Sequence, residues 1–147
     1  MVRLTELAKR LIDGKNLVSV ATLMPDGSPQ VAPVWVEREG DIVVINTTTT
    51  RQRYRNLKRD PRVALCVFDM DNIYSNVMIR GRASEITMVG AEEDIDRLST
   101  KYNGRKYPGH SPEEPRVIIR ITPERVAEWG GHLHSWRFDV SPSRVGR

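Results

Sequence analysis

The sequence predicts a mainly β protein, an antiparallel barrel or sandwich with a few peripheral helices, as one domain over residues 1–147. Three observations predict it. Six or seven apolar stretches follow one another at hairpin spacing, separated by short clusters of turn-forming residues. Several of them, DIVVIN, VALCVF and RVIIRI, are continuously apolar, so both of their faces must be covered. Helical periodicity is confined to a few short segments.

In order along the chain, Leu4, Leu7, Leu11 and Ile12 recur at helical spacing and Gly14 supplies a stop, which predicts a helix over 3–13. The period then changes. Strands are expected over 17–23 and 29–37, joined by a turn in which Asp26-Gly27 is the hairpin signal. REGD turns into a third strand over 41–47, and a short basic helix follows, ending before Pro61. Residues 62–69 read as a fourth strand and 74–87 as a long fifth one. Gly81 inside it predicts a bulge or a close backbone approach. Residues 91–103 form a second full helix, with acidic residues in its first turn and Ile95, Leu98 and Tyr102 on one face. The segment 104–115 is loop by composition, 116–122 a sixth strand, and 125–140 a bent seventh.

A chain this long buries roughly 68–70% of its unfolded surface and needs no disulfide to fold. Its one cysteine, Cys66, sits in an apolar strand and is expected to be a small buried hydrophobe. The opening residues are charged throughout, and no run approaches the roughly 18 apolar residues of a membrane span, so a cytoplasmic protein is expected. For the doubly apolar strands, one face would be the barrel interior and the other an added helix or a second subunit. A homodimer is the expectation.

The charge is unevenly placed. Residues 51–62 hold six basic side chains against Asp60 alone, so this segment carries +5 where the whole chain carries +4, and the rest sums to −1. Local basicity of this kind points to a site. Thr49 and Gln52 have the spacing of a capping box, which would start the helix at Thr50, directly beyond a strand end. The positive end of that helix would face whatever lies over the strand. Thr47, Thr48 and Thr50 add hydroxyls, and Arg51 and Arg53 add guanidinium forks suited to phosphate oxygens. Tyr54 and Leu57 would anchor the helix on the core. A small anion such as a phosphate fits that arrangement. A solvated face would account for Arg55, Lys58, Arg59 and Arg62 equally well. Nucleic acid would need a longer stripe or stacking aromatics, and Tyr54 alone is a poor platform.

The stretches VATLMPDGSPQVAPVWVE, GDIVVINTTTTRQRYRNLKRDPRVAL and VMIRGRASEI together resemble the flavin/deazaflavin oxidoreductase superfamily with the pyridoxamine-phosphate-oxidase-like split β-barrel. The resemblance covers about residues 15–90 and is nearest to the branch that uses coenzyme F420. It implies a split β-barrel homodimer with the cofactor site at the subunit interface. By position, Arg51 and Arg53 are similar to the family's phosphate-binding pair, with Thr47, Thr48, Thr50 and Asn56 beside them. Pro33, Val34 and Trp35 correspond to the strand beneath the isoalloxazine-like ring.

The function implied is hydride transfer between reduced F420 and a small conjugated organic acceptor. FMN is the alternative cofactor, and a cofactor carrier or nucleic-acid binder is the alternative class. F420 ends in an acidic tail, and Arg55, Lys58 and Arg59 are placed to screen it. VAEWGGHLHSWRF echoes the substrate region of authentic pyridoxamine-phosphate oxidases without reproducing it. Trp129, His132 and Trp136 are the candidates for the substrate side of the pocket. His132 and His134 share one strand face but have no third ligand at fixed spacing, so no metal is expected. No nucleophile–base pair is legible, in keeping with chemistry that belongs to a cofactor.

Overall fold

The computed structural model describes residues 2–129 and 138–140 of the chain. Its first helix, α1 (Glu6–Asp13), starts later than the apolar spacing suggests because Thr5 caps it, its hydroxyl accepting from the Ala8 N–H at 3.1 Å. Val2 and Leu4 precede the helix and are buried in the same core as Ala8, Leu11 and Ile12. Strands β1 (Val18–Leu23) and β2 (Pro29–Val34) form the hairpin expected at Asp26-Gly27, with Gly27 at a φ of 88°. The predicted strand over 29–37 breaks at Trp35 and Val36, and β3 (Glu37–Glu39) resumes beyond them. β4 (Ile42–Thr48) leads into the basic helix α2 (Gln52–Arg59). Then come β5 (Arg62–Asp69), β6 (Asn72–Thr87), α3 (Ala91–Asn103), β7 (Arg116–Trp129) and the short β8 (Phe138–Val140).

The strands make one antiparallel sheet in the order β2-β1-β5-β6-β7-β4-β3, with β8 added to β7. Its two edges, β2 and β3, are consecutive in the chain and are joined only through Trp35 and Val36. The result is a barrel-like β fold with a gap between those edges, plus three helices among the described residues. Val18, Val20, Val43, Ile45, Leu65, Val67, Ile79, Ile119 and Ile121 fill the interior with the apolar face of α1. Each such side chain contributes about 1.5–3 kcal/mol by leaving water.

The continuously apolar strands divide into two kinds. Outside β4 and β7, Val44 and Ile118 pack against Ala91 of α3, which covers them. Outside β5, Ala64, Cys66 and Phe68 stay half-buried, and α3 does not reach them. Residues 116–129, expected as two strands, are one, because the Pro123 position falls at a register shift where its missing N–H is tolerated. Opposite that shift lies Gly81, where a β-carbon would sit 2.3 Å from the Thr122 carbonyl oxygen. The close approach expected of this glycine is therefore present.

The expected capping box is not formed. The residue before α2 is Arg51, in extended backbone, and no side chain caps the helix. Thr49 donates its backbone N–H to the Pro115 carbonyl, and the Gln52 side chain runs forward, donating to Asn56 and accepting from Arg55. Pairing with the loop before β7 and the forward amide contacts replace the local cap.

Candidate functional site

At the end of β4 a cavity of about 310 Å³ opens between the start of α2, the Trp35 segment and α3. Pro33, Val34, Trp35 and Leu17 form an apolar wall, and Ile95 and Leu98 of α3 continue it. Three guanidinium groups, those of Arg51, Arg53 and Arg116, line the rest with Asn46 and Tyr107. No carboxylate is among these lining residues.

Each cation is held differently. Arg53 is half-buried, and its Nε has no hydrogen-bond partner. Burial, with the charges of Arg51 and Arg116 nearby, pushes its pKa below the ordinary arginine value. Arg116 is clamped: it donates to the Tyr107 hydroxyl at 2.7 Å and to the Asn46 side-chain oxygen at 3.3 Å. Its guanidinium also lies 4.5 Å from the centre of the Tyr107 ring, within cation–π range. Asn46 is itself oriented from behind, its amide nitrogen donating to Asp94 at 2.8 Å and to the Ala91 carbonyl at 3.0 Å. Both amide hydrogens are thereby engaged on α3, which leaves the oxygen for Arg116.

Behind Asn46 is a buried acidic pair. Asp94 is fully buried and bonded to Arg97 at 2.9 Å; the same guanidinium reaches Glu37 at 3.6 Å. Burial, with the Asp94 carboxylate hydrogen-bonded beside it, pushes the Glu37 carboxyl up to about 8. Asp94 therefore does more than complement a helix dipole.

Tyr107 comes from the loop 104–115, which is pinned to α3 through His110. The two ring nitrogens of His110 face Glu92 and Asp96, the latter at 2.9 Å, and Asp96 also accepts from the Tyr107 N–H at 3.0 Å. The hydrogen bond to Asp96 and the charge of Glu92 raise the His110 pKa above its usual value.

Of the residues singled out from the sequence, Pro33, Val34, Trp35, Arg51 and Arg53 line the cavity. Thr47, Thr48, Thr50 and Asn56 do not. Thr48 and Thr50 bond to each other at 2.8 Å and Thr50 donates to Glu114. Thr47 is buried and its hydroxyl has no partner. Asn56 is fully buried, donating to Thr22 at 2.9 Å and fastening α2 to β1. Trp129 ends β7 opposite Asn76 and is not among the lining residues. His132, His134 and Trp136 lie outside the described residues.

The outer cations of α2 are engaged within the protein: Arg55 donates to the Thr50 carbonyl and to Gln52, and Arg59 to the Leu23 carbonyl. These bonds are to neutral groups and leave both guanidinium charges at the surface, with the exposed Lys58 beside them. Sequence reading missed Arg116 and Tyr107. Arg116 reads as the polar first residue of a strand, and only the pairing of Thr48 with Arg116 brings it beside α2. Among the described residues no cluster of three or more metal-ligating side chains occurs, and no helix is long and apolar enough to cross a membrane.

The antiparallel barrel has the fold of the pyridoxamine-phosphate-oxidase-like flavin/deazaflavin proteins. The family profile described as pyridoxamine 5'-phosphate oxidase matches residues 4–130, and the chain belongs to that family. Among solved structures, one titled F420 reductase is 32% identical, covers 84% of this chain and 98% of its own, and superposes with a TM-score of 0.75. A conserved hypothetical protein from Mycobacterium tuberculosis is 24% identical over 89% of this chain and 88% of its own, with a TM-score of 0.65. HupZ from group A Streptococcus is 23% identical, covers 97% of this chain and 99% of its own, and has a TM-score of 0.67. The last two are alike in fold.

Proposed function

We propose that this protein is an oxidoreductase that holds coenzyme F420 in the arginine-lined cavity and passes hydride between the reduced coenzyme and a small conjugated organic acceptor. The observation that carries this reading is the convergence of Arg51, Arg53 and Arg116 on one cavity that no carboxylate lines. A half-buried guanidinium with an unpartnered Nε is costly unless an anion completes its hydrogen bonds, so these residues fit a phosphate-bearing group. The relative titled F420 reductase supports the deazaflavin over FMN.

When bound, the coenzyme supplies the hydride chemistry. The chain supplies position and exclusion of water. Arg53 and Arg51 hold the phosphate, and Arg116, kept in place by Tyr107 and Asn46, adds the third positive charge. Pro33, Val34 and Trp35 present a flat apolar wall to the ring. Trp35 is backed by Tyr102, so that wall is stiff.

A second copy of the chain is proposed to cover the open face of β5, where Ala64, Cys66 and Phe68 share the sheet's outer side with the exposed Val31. Pro33 faces the same way across Ser19 and Cys66, which puts the cavity wall at the edge of that interface.

Side-by-side fluorescence titration of the purified protein with F420 and FMN tests the reading. Tight F420 and weak FMN binding is expected. Preference for FMN would keep the site and change the cofactor. Affinity for neither, with salt-dependent binding to generic DNA, would sink the proposal in favour of the nucleic-acid alternative.

A further inference from the structure

The loop 104–115 brings Tyr107 to the arginine-lined cavity, yet none of its residues is buried. Apolar packing does little to hold such a segment, so its position rests on polar contacts. At its ends Gly104 donates to Thr100, Glu114 accepts from Thr50 and Pro115 from Thr49. Between those ends, among the described residues, the hydrogen bonds and ion pairs that tie it to the rest of the protein belong to Tyr107 and His110. The Tyr107 N–H donates to Asp96 at 3.0 Å, and the His110 ring stands between Glu92 and Asp96 with one nitrogen facing each.

Glu92 and Asp96 share one face of α3, and like charges at that spacing oppose the helix. An imidazolium between them removes the opposition and donates from both nitrogens. A neutral ring has a single N–H, so one carboxylate would then face a lone pair. The ring and Tyr107 move together. Tyr107 lies over Gly109, where a β-carbon would come within 2.8 Å of it, and His110 meets it edge-on with centroids 5.6 Å apart. The consequence reaches Arg116. Its bond to the Tyr107 hydroxyl is 2.7 Å, whereas that to the Asn46 oxygen is 3.3 Å, beyond the usual range. Without Tyr107 this guanidinium keeps only the weaker tether.

We propose that His110 is a positioning residue for the cavity: its protonated ring latches the loop to α3, Tyr107 then sets Arg116, and loss of the proton frees the loop and weakens anion binding. The inference rests on the anion-holding role given above to Arg116. The groups facing the ring are Glu92 and Asp96 from α3 and Tyr107 from the loop, with Lys106 acting on Asp96. The bond from His110 holds the Asp96 carboxyl below its ordinary range, so it is ionised at neutral pH. That same bond, with the charge of Glu92, raises the His110 pKa. The latch is therefore closed below the ordinary value of 6.5 and opens as pH climbs through the higher value in the fold.

Arg105 and Lys106, both exposed in the loop, give a readout that needs no ligand. Trypsin cleavage after these two residues is counted by mass spectrometry and referred, at each pH, to a small chromogenic substrate. In the parent the rate should rise roughly threefold or more between about pH 6 and 8.5, as the open form gains population. His110→Ala should be cleaved fast throughout, and His110→Arg, charged at every pH, slowly throughout. F420 is then titrated against the parent and His110→Arg at both pH values, a comparison in which ionisation of the coenzyme cancels. Equal affinities are expected near pH 6, and a parent weaker by about threefold near 8.5. A flat cleavage profile in the parent, or His110→Ala cleaved like the parent, would overturn the latch. Equal F420 affinities at both pH values would leave His110 a structural tie alone and overturn its positioning role. Failure of the coenzyme to bind at any pH would instead sink the function proposed above, and cleavage would still decide the latch.

Discussion

The Trp35 indole lies flat against the Tyr102 ring, their centroids 5.3 Å apart and their planes 6° from parallel. This contact sits at the gap between β2 and β3, where the sheet leaves backbone groups unpaired. The end of α3 supplies the missing partners. The Tyr102 hydroxyl accepts from the Val36 N–H and donates to the Asn16 carbonyl at 2.5 Å, while Lys101 donates to the carbonyls of Val36 and Ile12. One helix end thus closes the barrel and backs the cavity wall.

Tyr102→Phe keeps the stack and removes the hydroxyl, so it should destabilise the fold by about 1–3 kcal/mol through the orphaned Val36 N–H. Tyr102→Leu should cost a further ~0.5–1.5 kcal/mol as the ring contact goes. Burial pushes the Tyr102 pKa up to about 12, so the hydroxyl remains a donor across the working pH range. Urea denaturation followed by tryptophan fluorescence measures both. A phenylalanine variant as stable as the parent would show that this hydroxyl does not hold the gap.

Arg53→Met should move stability and cofactor binding in opposite directions. Without ligand, the substitution removes a half-buried cation with an unpartnered Nε and two cationic neighbours, and stability should hold or rise by up to ~1 kcal/mol. Affinity for F420 should fall by about 1–3 kcal/mol. Thermal melts and titration of the same preparation separate the two effects; an unchanged affinity would remove Arg53 from the phosphate site.

The Glu37 carboxyl, raised from 4.5 to about 8 in the fold, binds a proton there that the unfolded chain releases. Its stabilisation is complete below pH 4.5, is lost progressively as pH rises, and is gone above about 8. His110, also raised, acts in the same sense, but only above its usual value near 6.5. Between roughly pH 5 and 6.5 the slope should therefore belong to Glu37, and Glu37→Gln should flatten it. Melting temperatures across that window decide the point: an unchanged slope would mean that Glu37 is ionised beside Asp94.

Gly81→Ala places a methyl group 2.3 Å from the Thr122 carbonyl oxygen, a contact with backbone that no rotamer relieves. The expected loss is ~3 kcal/mol or more, read from the denaturation midpoint. The glycine is needed for space, since its φ is not among the positive ones. A neutral substitution would mean that β6 and β7 separate easily at the bulge.

Periodicity and turn chemistry make most elements legible in the amino-acid sequence alone. The Asp26-Gly27 hairpin, the three helices and the basic segment beside a strand end all follow from patterns within about ten residues. Pro33, Val34, Trp35, Arg51 and Arg53 are identifiable because the motifs that carry them are contiguous. The rest of the site is settled by pairing. Arg116 is far from Arg53 in sequence, and it reaches the cavity because β7 pairs with β4 in a register that sets Thr48 beside it. Tyr107 arrives because its own backbone N–H and the ring of His110 tie its loop to Asp96 of α3. The threonine hydroxyls, so suggestive in the sequence, are turned elsewhere: Thr48 and Thr50 toward each other, Thr50 also toward Glu114 of a distant loop, and Thr47 into the interior without a partner. A local pattern specifies which face of a strand is apolar. Which strand lies next to it, and so which side chains meet, is decided by the packing of the whole sheet.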